Sequence, residues 1–511
     1  MQPAQRMRRA SLRSIEPQEV GRDRDLFEQL ASLREDVHRE TRRTLERWRP
    51  KLKRLGFLPS AFNLASYLAF RKRDVRAFQD ELAVWGLSSL GRSESHVLAN
   101  LDAVLNSLAA LTRVADARVP VRPRRAKFQL GGKLLARNTR QLFGRPRGDV
   151  GTHVMVTLPE EAATDGALIR ALVAGGMSCA RINCAHGTHK EWRAMINHVR
   201  AAEKRLGAGC RVLMDLCGPR VRTVSVLSRG DRELLPGDRV LLRATAPDRG
   251  LLSPPFQAQC TPPSILTRLA VGAKVLIDEG KIEATVEKTA RDGVVAEVTR
   301  TPPGGAQLKP EKGLNFPGTD LGLPALTDKD RLDLDTIVAN ADLVGYSFVQ
   351  DESDIESLWR ELKPRLKHLR RPVPGVILKI ETEKAVRNLP DLIVAAAAHA
   401  PIGVMIARGD LAVEVGFHRL AELQEELLWL AEAAHVPVIW ATQVLEQLVK
   451  KGMPSRAEIS DVVLAQRAEC VMLNKGEFLL DALRTVNDVF HRMGDHQHKK
   501  TARLRALRAW S

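Results

Sequence analysis

Eight short apolar runs, each with a polar residue at or next to its end, recur between Gly151 and about Met493. Runs this short and continuous are typical of parallel strands buried on both faces, and the stretches between them are long enough for crossover helices. The runs are His153–Thr157, Cys179–Asn183, Val212–Asp215, Leu343–Phe348, Val376–Glu381, Val404–Asp410, Pro437–Thr442 and Cys470–Asn474. Eight such units predict an α/β protein whose strands close into a (βα)8 TIM barrel.

The polar residues that end these runs are the candidate site, because active sites of such barrels form at the C-terminal ends of the strands. The alternative is that they only end the strands. Lys379 and Glu381, two residues apart, lie on the same side of one strand, and Asp410 follows the next. Two carboxylates beside Lys379 and Arg408 suit a hard divalent ion that keeps several waters. A salt-bridge network at the barrel rim would use the same residues.

Three further strand ends carry candidate chemistry. Arg181 and Asn183 are two apart on one strand and could hold a phosphate through charge-assisted hydrogen bonds. Thr442 places a hydroxyl at the same mouth, although a lone threonine is more often structural. The segment Asp215–Arg222 puts an acid and two arginines where the chain leaves the third strand.

A separate β-domain is predicted between the third and fourth barrel strands. The third strand ends at Asp215, and the next helical pattern begins only near Thr327. A loop of this length without structure of its own would be unusual, and it contains alternating apolar runs with glycine at likely turns. We therefore predict an inserted small β-barrel domain at 224–312, on a loop from which it could close over a substrate as a lid.

The chain before the barrel has a helical pattern. Apolar residues recur at steps of three and four from Leu26 to Trp48, and similar patterns cover 60–84 and 96–113. We found no catalytic motif there, so a structural cap or a docking surface is the expected role. The predicted organisation is a helical N-terminal extension at 1–120, of which 1–24 are expected to be poorly ordered, a Pro-, Gly- and Arg-rich linker at 121–150, the barrel at 151–223 and 313–493, and a basic tail at 494–511.

Composition narrows the class of protein. At 511 residues and 44% hydrophobic content, the chain can form two or three domains with large cores. No apolar run reaches the ~18–20 residues that span a bilayer, and the N-terminus lacks the apolar core of a secretory signal. Six cysteines without a Cys-x-x-Cys pair favour reduced, structural thiols in a cytoplasmic enzyme.

The net charge of +18 is carried by the two ends of the chain. Residues 1–150 hold 31 Lys and Arg against 16 Asp and Glu, and residues 491–511 hold 6 against 1, so the intervening residues carry about −2. Nucleic-acid binding by the predicted barrel is therefore not expected. The basic ends would either attract an anionic partner or form an ordinary solvated surface.

Several motifs, collinear over about 151–490, resemble pyruvate kinase. They are Gly176–Gly187, Met214–Thr223, Gly313–Gly318, Leu323–Asp330, Ser347–Val349, Lys379–Glu381, Met405–Leu411, Ala441–Glu446 and Ser455–Asp461. The resemblance implies a phosphotransferase of glycolysis that moves the phosphoryl group of phosphoenolpyruvate to ADP, giving pyruvate and ATP with Mg²⁺ or Mn²⁺ as cofactor. It covers the barrel and the inserted domain.

The resemblance also implies residue roles. Lys379 would stabilise charge on the transferring phosphoryl group and on the enolate oxygen, and Arg181 would contact the phosphoryl group. Glu381 and Asp410 would hold the metal. Substrate and nucleotide contacts would come from Asn183, His186, Arg222 and Gly409, with Asp410 and Thr442 beside them. Thr442 would belong to the relay that protonates the methyl-forming carbon.

The departures from the family pattern carry their own predictions. Ala185 stands where the family has Ser, and Leu216-Cys217 where it has Thr-Lys; the Ser and Thr positions, with Asp215, belong to a monovalent-cation site. Arg220 replaces an acidic residue of potassium-dependent members, and members with a basic residue there work without potassium. The resemblance therefore implies catalysis that does not require K⁺, with the charge of Arg220 in place of the ion.

Other departures concern nucleotide binding and regulation. Leu158–Ala162 replaces a Gly-Pro-Ala-Ser turn, which puts part of the nucleotide contact in question, and Asn474–Phe478 replaces Ser-Gly-Glu-Thr. The family's C-terminal effector domain has no counterpart in the sequence, so its regulation and subunit interface are not expected. A homo-oligomer could form through the barrel or the N-terminal helices.

Two other functions remain open from the sequence. One is another metal-dependent barrel enzyme of phosphoenolpyruvate or pyruvate, such as a lyase, that has lost the nucleotide site. The other is a non-catalytic regulatory or scaffold protein that uses the helical extension and the basic surface. An assay with phosphoenolpyruvate, ADP and magnesium distinguishes all three.

Overall fold

A computed structural model describes residues 17–146, 151–228, 230, 232–248, 250, 254–370, 372–494, 496–499 and 501–502. Contacts divide the chain into two compact units, the described parts of Met1–Arg49 with Pro59–Gly132, and of Pro50–Leu58 with Lys133–Ser511. Two predictions concern residues that lie largely outside the described ranges. They are the poor order of residues 1–24 and the basic tail at 494–511. Among the described residues, no helix is long and apolar enough to cross a membrane.

The first unit is helical. Buried apolar side chains, among them Leu30, Leu33 and Val37, recur on one face of its first helix. On the same helix, the Thr41 hydroxyl donates a hydrogen bond to the Val37 carbonyl at 2.6 Å. The helices, including one that continues into the second unit, are α1 (Pro17–Trp48), α2 (Leu58–Arg71), α3 (Arg76–Val84), α4 (Val97–Thr112) and α5 (Arg125–Phe143). The predicted helices over 26–48, 60–84 and 96–113 are present, with a break between α2 and α3.

The linker predicted at 121–150 is wrong over most of its length, because α5 occupies Arg125–Phe143. Its prolines flank the helix, and the interior has helix-forming residues around Leu134 and Leu135, which are buried. Leu142 and Phe143 at its end are also buried and belong to the apolar core of the second unit. The overall Pro, Gly and Arg content concealed this local pattern.

The second unit contains a closed barrel of eight parallel strands, as predicted. Its ring order is β1-β15-β14-β13-β12-β11-β3-β2. In chain order the strands are β1 (His153–Thr157), β2 (Cys179–Asn183), β3 (Arg211–Asp215), β4 (Arg222–Ser228), β5 (Arg239–Arg243), β6 (Phe256–Thr261), β7 (Lys274–Ile277), β8 (Ile282–Ala290), β9 (Gly293–Arg300), β10 (Leu314–Asn315), β11 (Leu343–Tyr346), β12 (Gly375–Ile380), β13 (Ile402–Ala407), β14 (Val438–Ala441), β15 (Cys470–Leu473), β16 (Gln497–His498) and β17 (Thr501–Ala502).

The barrel strands are almost entirely buried, as continuous apolar sequence requires. At the N-terminal end of the barrel, Leu142 lies so close to β12 and β13 that a Cβ added at Gly375 or Gly403 would approach it to 2.4 or 3.1 Å. A Cβ there would also approach Leu343 to 2.6 Å or Ile377 to 2.8 Å, so glycine at these two strand positions leaves room for the end of α5 and for the neighbouring strands.

Helices alternate with the barrel strands, and several begin with a polar cap. Thr188, Thr327 and Ser455 each form a capping box that satisfies the first backbone N–H groups of a helix. The helices are α6 (Gly166–Ala174), α7 (His189–Leu206), α8 (Asp328–Asn340), α9 (Glu352–Leu369), α10 (Glu383–Ala397), α11 (Arg408–Val415), α12 (Phe417–Ala433), α13 (Glu446–Lys451), α14 (Arg456–Ala465) and α15 (Leu479–Met493).

The segment between β3 and α8 forms a mixed sheet of seven strands, in the order β10-β7-β8-β9-β5-β6-β4. Its two edge strands meet, since Arg222 and Gly313 form a bridge and the Leu314 N–H donates to the Val221 carbonyl at 2.9 Å. One side of the sheet encloses an apolar core that includes Phe256 and Phe316. The insertion expected after the third strand is therefore a β-domain, and it lies at the C-terminal end of the barrel strands.

Candidate active site

Lys379, at the end of β12, is the centre of a buried polar cluster. Its Nζ lies 2.7 Å from Ser347 Oγ, 3.0 Å from Glu381 Oε1 and 3.3 Å from Asp215 Oδ2. Only 4% of the residue is exposed. Ser347 donates its own proton to the Leu216 carbonyl at 2.6 Å, so its oxygen is oriented to accept from the lysine. A cation is therefore held at the barrel mouth by three oxygens in fixed positions.

Asp215 and Arg181 form the adjoining part of this cluster. The guanidinium of Arg181 donates to Asp215 Oδ2 from Nε at 2.9 Å and from Nη2 at 2.5 Å, and to Thr157 Oγ1 at 3.0 Å. Burial alone would raise the pKa of Asp215, but the charges of Lys379 and Arg181 outweigh it and lower that pKa. Asp215 Oδ1 is buried without a hydrogen-bond partner among the described residues. The contacts with Asp215 and Thr157 therefore hold the Arg181 guanidinium at the barrel mouth, beside Lys379.

Glu381 and Asp410 provide two carboxylates on neighbouring strand ends. Glu381 is 2% exposed, and its Oε2 accepts from the Phe348 N–H at 2.6 Å. Burial raises the pKa of Glu381; the charge of Lys379 opposes that rise and the charge of Asp410 adds to it. Asp410 is partly exposed, and its Oδ2 lies 3.8 Å from Nη2 of Arg220.

These two carboxylates fit a divalent ion. Burial is the main cause of the raised pKa of Glu381, and the charge of Asp410 adds to it; a bound cation would offset both effects. No group of three or more His, Cys, Asp or Glu able to hold a metal occurs in the described ranges. A hard ion such as Mg²⁺ accepts this arrangement, since it commonly uses one or two protein carboxylates and takes its other ligands from substrate and water.

Arg220 approaches this acidic group from the other side. It is partly buried, its Nε has no hydrogen-bond partner in the described part of the chain, and its pKa is raised. Burial opposes that rise, but the negative charges of Asp410 and Glu381 outweigh it. The guanidinium is thus a fixed positive charge next to the two carboxylates.

Thr442 follows β14 with a left-handed backbone, at φ 66°. A β-branched residue rarely adopts this conformation, so the surrounding contacts must hold it there. Its hydroxyl donates to the Ala441 carbonyl at 2.7 Å and accepts from the Gly409 N–H at 2.8 Å. The threonine hydroxyl is therefore fixed next to the backbone that carries Asp410.

Arg408 fixes the same turn. It donates to the Ala441 and Thr442 carbonyls at 3.0 and 2.6 Å, and its guanidinium lies 4.6 Å from the centre of the Trp440 ring. Two further bonds, of 2.6 and 2.8 Å, join it to the carboxylate of Asp461. This bidentate pair is mostly buried, with side-chain exposures of 11% and 23%.

Asp461→Asn is expected to destabilise the protein by about 3 kcal/mol, because it leaves the buried charge of Arg408 without its counter-ion. Urea unfolding of the variant against the wild type measures this. Asp488→Asn, which breaks an exposed pair with Arg492, is the matched control and should leave the urea midpoint nearly unchanged, because solvent screens such pairs. Equal stability of the two variants would contradict the role assigned to the Arg408–Asp461 pair.

The other predicted site residues lie farther out on the rim. Asn183 ends β2 and accepts from the Ala185 N–H at 3.2 Å. His186 is exposed, and partial burial, then the charges of Lys475 and Arg222, lower its pKa. Arg222 begins β4, and its Nη1 lies 3.6 Å from Glu311. These three residues make none of the direct contacts that join Lys379, Glu381, Asp215 and Arg181.

A cleft of about 680 Å³ opens between the barrel mouth and the β-domain. Arg220, Arg222 and Asp410 line it together with Lys312 and Phe348. The volume is within the range typical of ligand-binding clefts. The β-domain therefore forms one wall of a cleft that Asp410 and Arg220 reach from the barrel mouth, and Lys379 and Glu381 are not among the residues that line it.

Sequence reasoning did not assign a role to two residues that position the site. Ser347 is the polar residue next to the end of the fourth apolar run, and that position was the available signal. Asp330 is fully buried and accepts from the Cys217 and Gly218 N–H groups at 2.8 and 3.2 Å, which fixes the turn leading to Arg220. It also forms the capping box with Thr327, and a capping pattern alone does not indicate this second function.

Comparison with known proteins identifies the family. The family model described as "Pyruvate kinase, barrel domain" matches residues 151–479. The chain belongs to the pyruvate kinase family. The matched region includes the eight barrel strands and the inserted β-domain, in agreement with the resemblance seen in the motifs.

Several pyruvate kinases are similar to this chain. That of Geobacillus stearothermophilus is 33% identical over 345 residues, which are 66% of this chain and 56% of that protein. That of Mycobacterium intracellulare is 33% identical over 342 residues, covering 66% and 68%. Pyruvate kinase PKLR of Rattus norvegicus is 31% identical over 338 residues, covering 62% and 55%. The chain thus spans little more than half the length of two of these relatives.

Proposed function

We propose that the protein transfers the phosphoryl group of phosphoenolpyruvate to ADP, forming pyruvate and ATP. The observation that carries this proposal is the position of Lys379, a buried cation held by Ser347, Asp215 and Glu381. A third carboxylate, Asp410, adds its charge beside Glu381. Membership of the pyruvate kinase family supports these substrates and a divalent metal cofactor. Phosphoryl transfer depends on positioning and charge stabilisation, which this arrangement can supply.

Lys379 and Arg181 carry the electrostatic part of the mechanism. Both contact Asp215, which limits their freedom to reorganise. Their positive charges would face the place where negative charge develops during transfer. Lys379 would stabilise the transferring phosphoryl group and then the enolate oxygen that remains. Arg181 would bind the phosphoryl oxygens before transfer.

Glu381 and Asp410 would hold the metal, which we propose to be Mg²⁺ or Mn²⁺. When bound, the ion supplies a positive charge that polarises the oxygens of the acid substrate. Glu381 is kept in place by the Phe348 N–H, and Asp410 lies where α11 begins. The protein residues therefore offer one carboxylate from each of two neighbouring strand ends and leave other positions for substrate.

Thr442 would take part in protonation of the enolate. Its hydroxyl is held between the Ala441 carbonyl and the Gly409 N–H, so it must turn from the carbonyl to donate a proton to the enolate. The rim residues Asn183, His186 and Arg222 would lie along the nucleotide phosphates. A cytoplasmic location of the protein and its assembly into a homo-oligomer remain predictions from the sequence.

The test of the proposal is an assay of pyruvate formation with phosphoenolpyruvate, ADP and Mg²⁺, using the full chain. Pyruvate formed in proportion to ATP supports the proposal. Absence of turnover with any nucleoside diphosphate would favour the regulatory or scaffold function. The Lys379 variant described in the Discussion distinguishes turnover by this protein from turnover by a contaminating kinase.

One observation favours a second candidate, an enzyme of phosphoenolpyruvate or pyruvate that does not use a nucleotide. The loop after β1 carries Glu160, which lies 3.3 Å from Lys475 on the rim where nucleotide phosphates would bind. An exposed carboxylate there would repel those phosphates. Pyruvate formed at the same rate without ADP would establish this alternative and reject phosphoryl transfer to a nucleotide.

Catalysis is expected not to require potassium. Replacing K⁺ by tetramethylammonium at constant ionic strength should change the rate less than about twofold, because Arg220 already places a positive charge beside Asp410 and Glu381. Arg220→Gln should lower the rate by about 100-fold. Arg49→Gln, outside the cleft, is the control. A large stimulation of the wild type by K⁺ would contradict the assignment.

A further inference from the structure

A second cavity lies at the other end of the barrel, where β13 begins. Its volume is about 290 Å³, at the lower end of the range for small-molecule sites. Its apolar lining includes Phe57, Pro401, Ile402 and Val436. It contains none of the residues of the candidate active site.

Two arginines, Arg54 and Arg137, line this cavity. Nη1 of Arg54 donates to the Ala397 carbonyl at 3.4 Å, a long bond that uses one of its five N–H donors. Arg137 contacts Asn138 Oδ1, also at 3.4 Å. Within the described ranges, neither guanidinium is within ion-pair distance of a carboxylate. Burial and the charge of Arg137 lower the pKa of Arg54, as expected of neighbouring cations without a counter-ion.

Two amide side chains, those of Asn138 and Gln141, also line the cavity. Asn138 donates from Nδ2 to the His435 carbonyl at 2.7 Å, so its Oδ1 is turned towards Arg137. Gln141 lies one turn further along α5. The result is a concave site with two like charges, amide groups beside them and an apolar wall, which matches an anion with an apolar body.

We propose that this cavity binds a small organic anion, whose phosphate or carboxylate group lies between Arg54 and Arg137. Two guanidinium groups present planar sets of donors suited to the oxygens of either acid group, and a dianion would neutralise both charges. The apolar body of the ligand would contact Phe57 and Pro401. The proposal does not depend on the proposed phosphoryl transfer, and its test needs no turnover.

Isothermal titration with phenyl phosphate, benzoate and inorganic phosphate tests the site. We expect phenyl phosphate to bind with a dissociation constant in the millimolar range or below, and more tightly than inorganic phosphate, which lacks the apolar body. The double variant Arg54→Gln/Arg137→Gln should bind it at least about tenfold more weakly. Benzoate binding at least as tight as that of phenyl phosphate, and lost in the same variant, would assign the site to carboxylates.

Arg140→Gln is the matched control, because Arg140 is exposed on the same helix, is one turn from Arg137 and is outside the cavity lining. It should bind phenyl phosphate as the wild type does. Equal binding by the double variant and the wild type would overturn the proposal, since any binding would then occur elsewhere, including the active-site cleft. Absence of binding by all three probes at about 10 mM would overturn it as well. Circular dichroism and thermal melting verify that the double variant is folded.

Discussion

Lys379→Met is expected to lower the turnover number by at least about 1,000-fold. Methionine has a similar length and can occupy the same space, so the change removes the charge that faces the reacting oxygens and little else. Asp215 keeps both bonds from Arg181, and Glu381 keeps the Phe348 N–H, so the two buried acids retain partners. Steady-state kinetics with phosphoenolpyruvate and ADP, together with thermal melting, measure the effect.

Two comparisons show whether this loss is chemical. Lys450→Met, on the exposed surface of α13 where Lys450 pairs with Glu446, should leave turnover unchanged. The Lys379 variant should also lose exchange of the pyruvate methyl protons with deuterated water, because Lys379 would stabilise the enolate that exchange requires. Ordinary turnover by a folded Lys379→Met protein would refute its assignment.

Glu381→Gln is expected to reduce activity by about 100-fold or more without reducing stability at neutral pH. Glutamine keeps the shape and an acceptor for the Phe348 N–H, but it removes a charge that would hold the metal. Burial raises the pKa of Glu381, so the folded protein binds a proton there more tightly than the unfolded chain. The stability due to this group is therefore present at low pH and is lost as the pH rises through the raised pKa.

This raised pKa predicts how the difference in melting temperature between Glu381→Gln and the wild type changes with pH. The melting temperature of Glu381→Gln relative to the wild type should be higher at about pH 7.5 than at about pH 5. Ionisation of the buried Glu381 destabilises the folded wild type as the pH rises, and glutamine does not ionise. Glu287→Gln is the control. Glu287 is exposed on β8 and hydrogen-bonded to Arg239 at 2.6 Å, which lowers its pKa, so the same comparison should give no rise with pH. A neutral-pH loss of stability in Glu381→Gln would contradict the prediction.

Much of the fold and the location of the site follow from local sequence pattern. Short apolar runs are recognisable because each barrel strand is buried on both faces, and the closure of eight parallel strands brings their C-terminal ends together. Lys379, Glu381 and Asp215 could therefore be expected near one another before any contact was known. The β-domain was recognisable because its turns interrupt alternating apolar residues.

The remaining features depend on contacts between distant parts of the chain. Arg408 pairs with Asp461 across 53 residues, and Ser347 donates to Leu216 across 131. No local pattern indicates either partner. The left-handed backbone of Thr442 is likewise imposed by its neighbours, since its own side chain disfavours that conformation.

The helix α5 has a consequence for how fragments of this protein should be cut. The match to the family model begins at residue 151, yet Leu142 and Phe143 already belong to the same apolar core as Met155 and Met405. A fragment that starts at residue 151 would lack Leu142 and Phe143 and leave the N-terminal end of its barrel exposed to water. The lost burial of these two side chains would cost about 3–6 kcal/mol of stability. The barrel core therefore begins before the first residue of the family match.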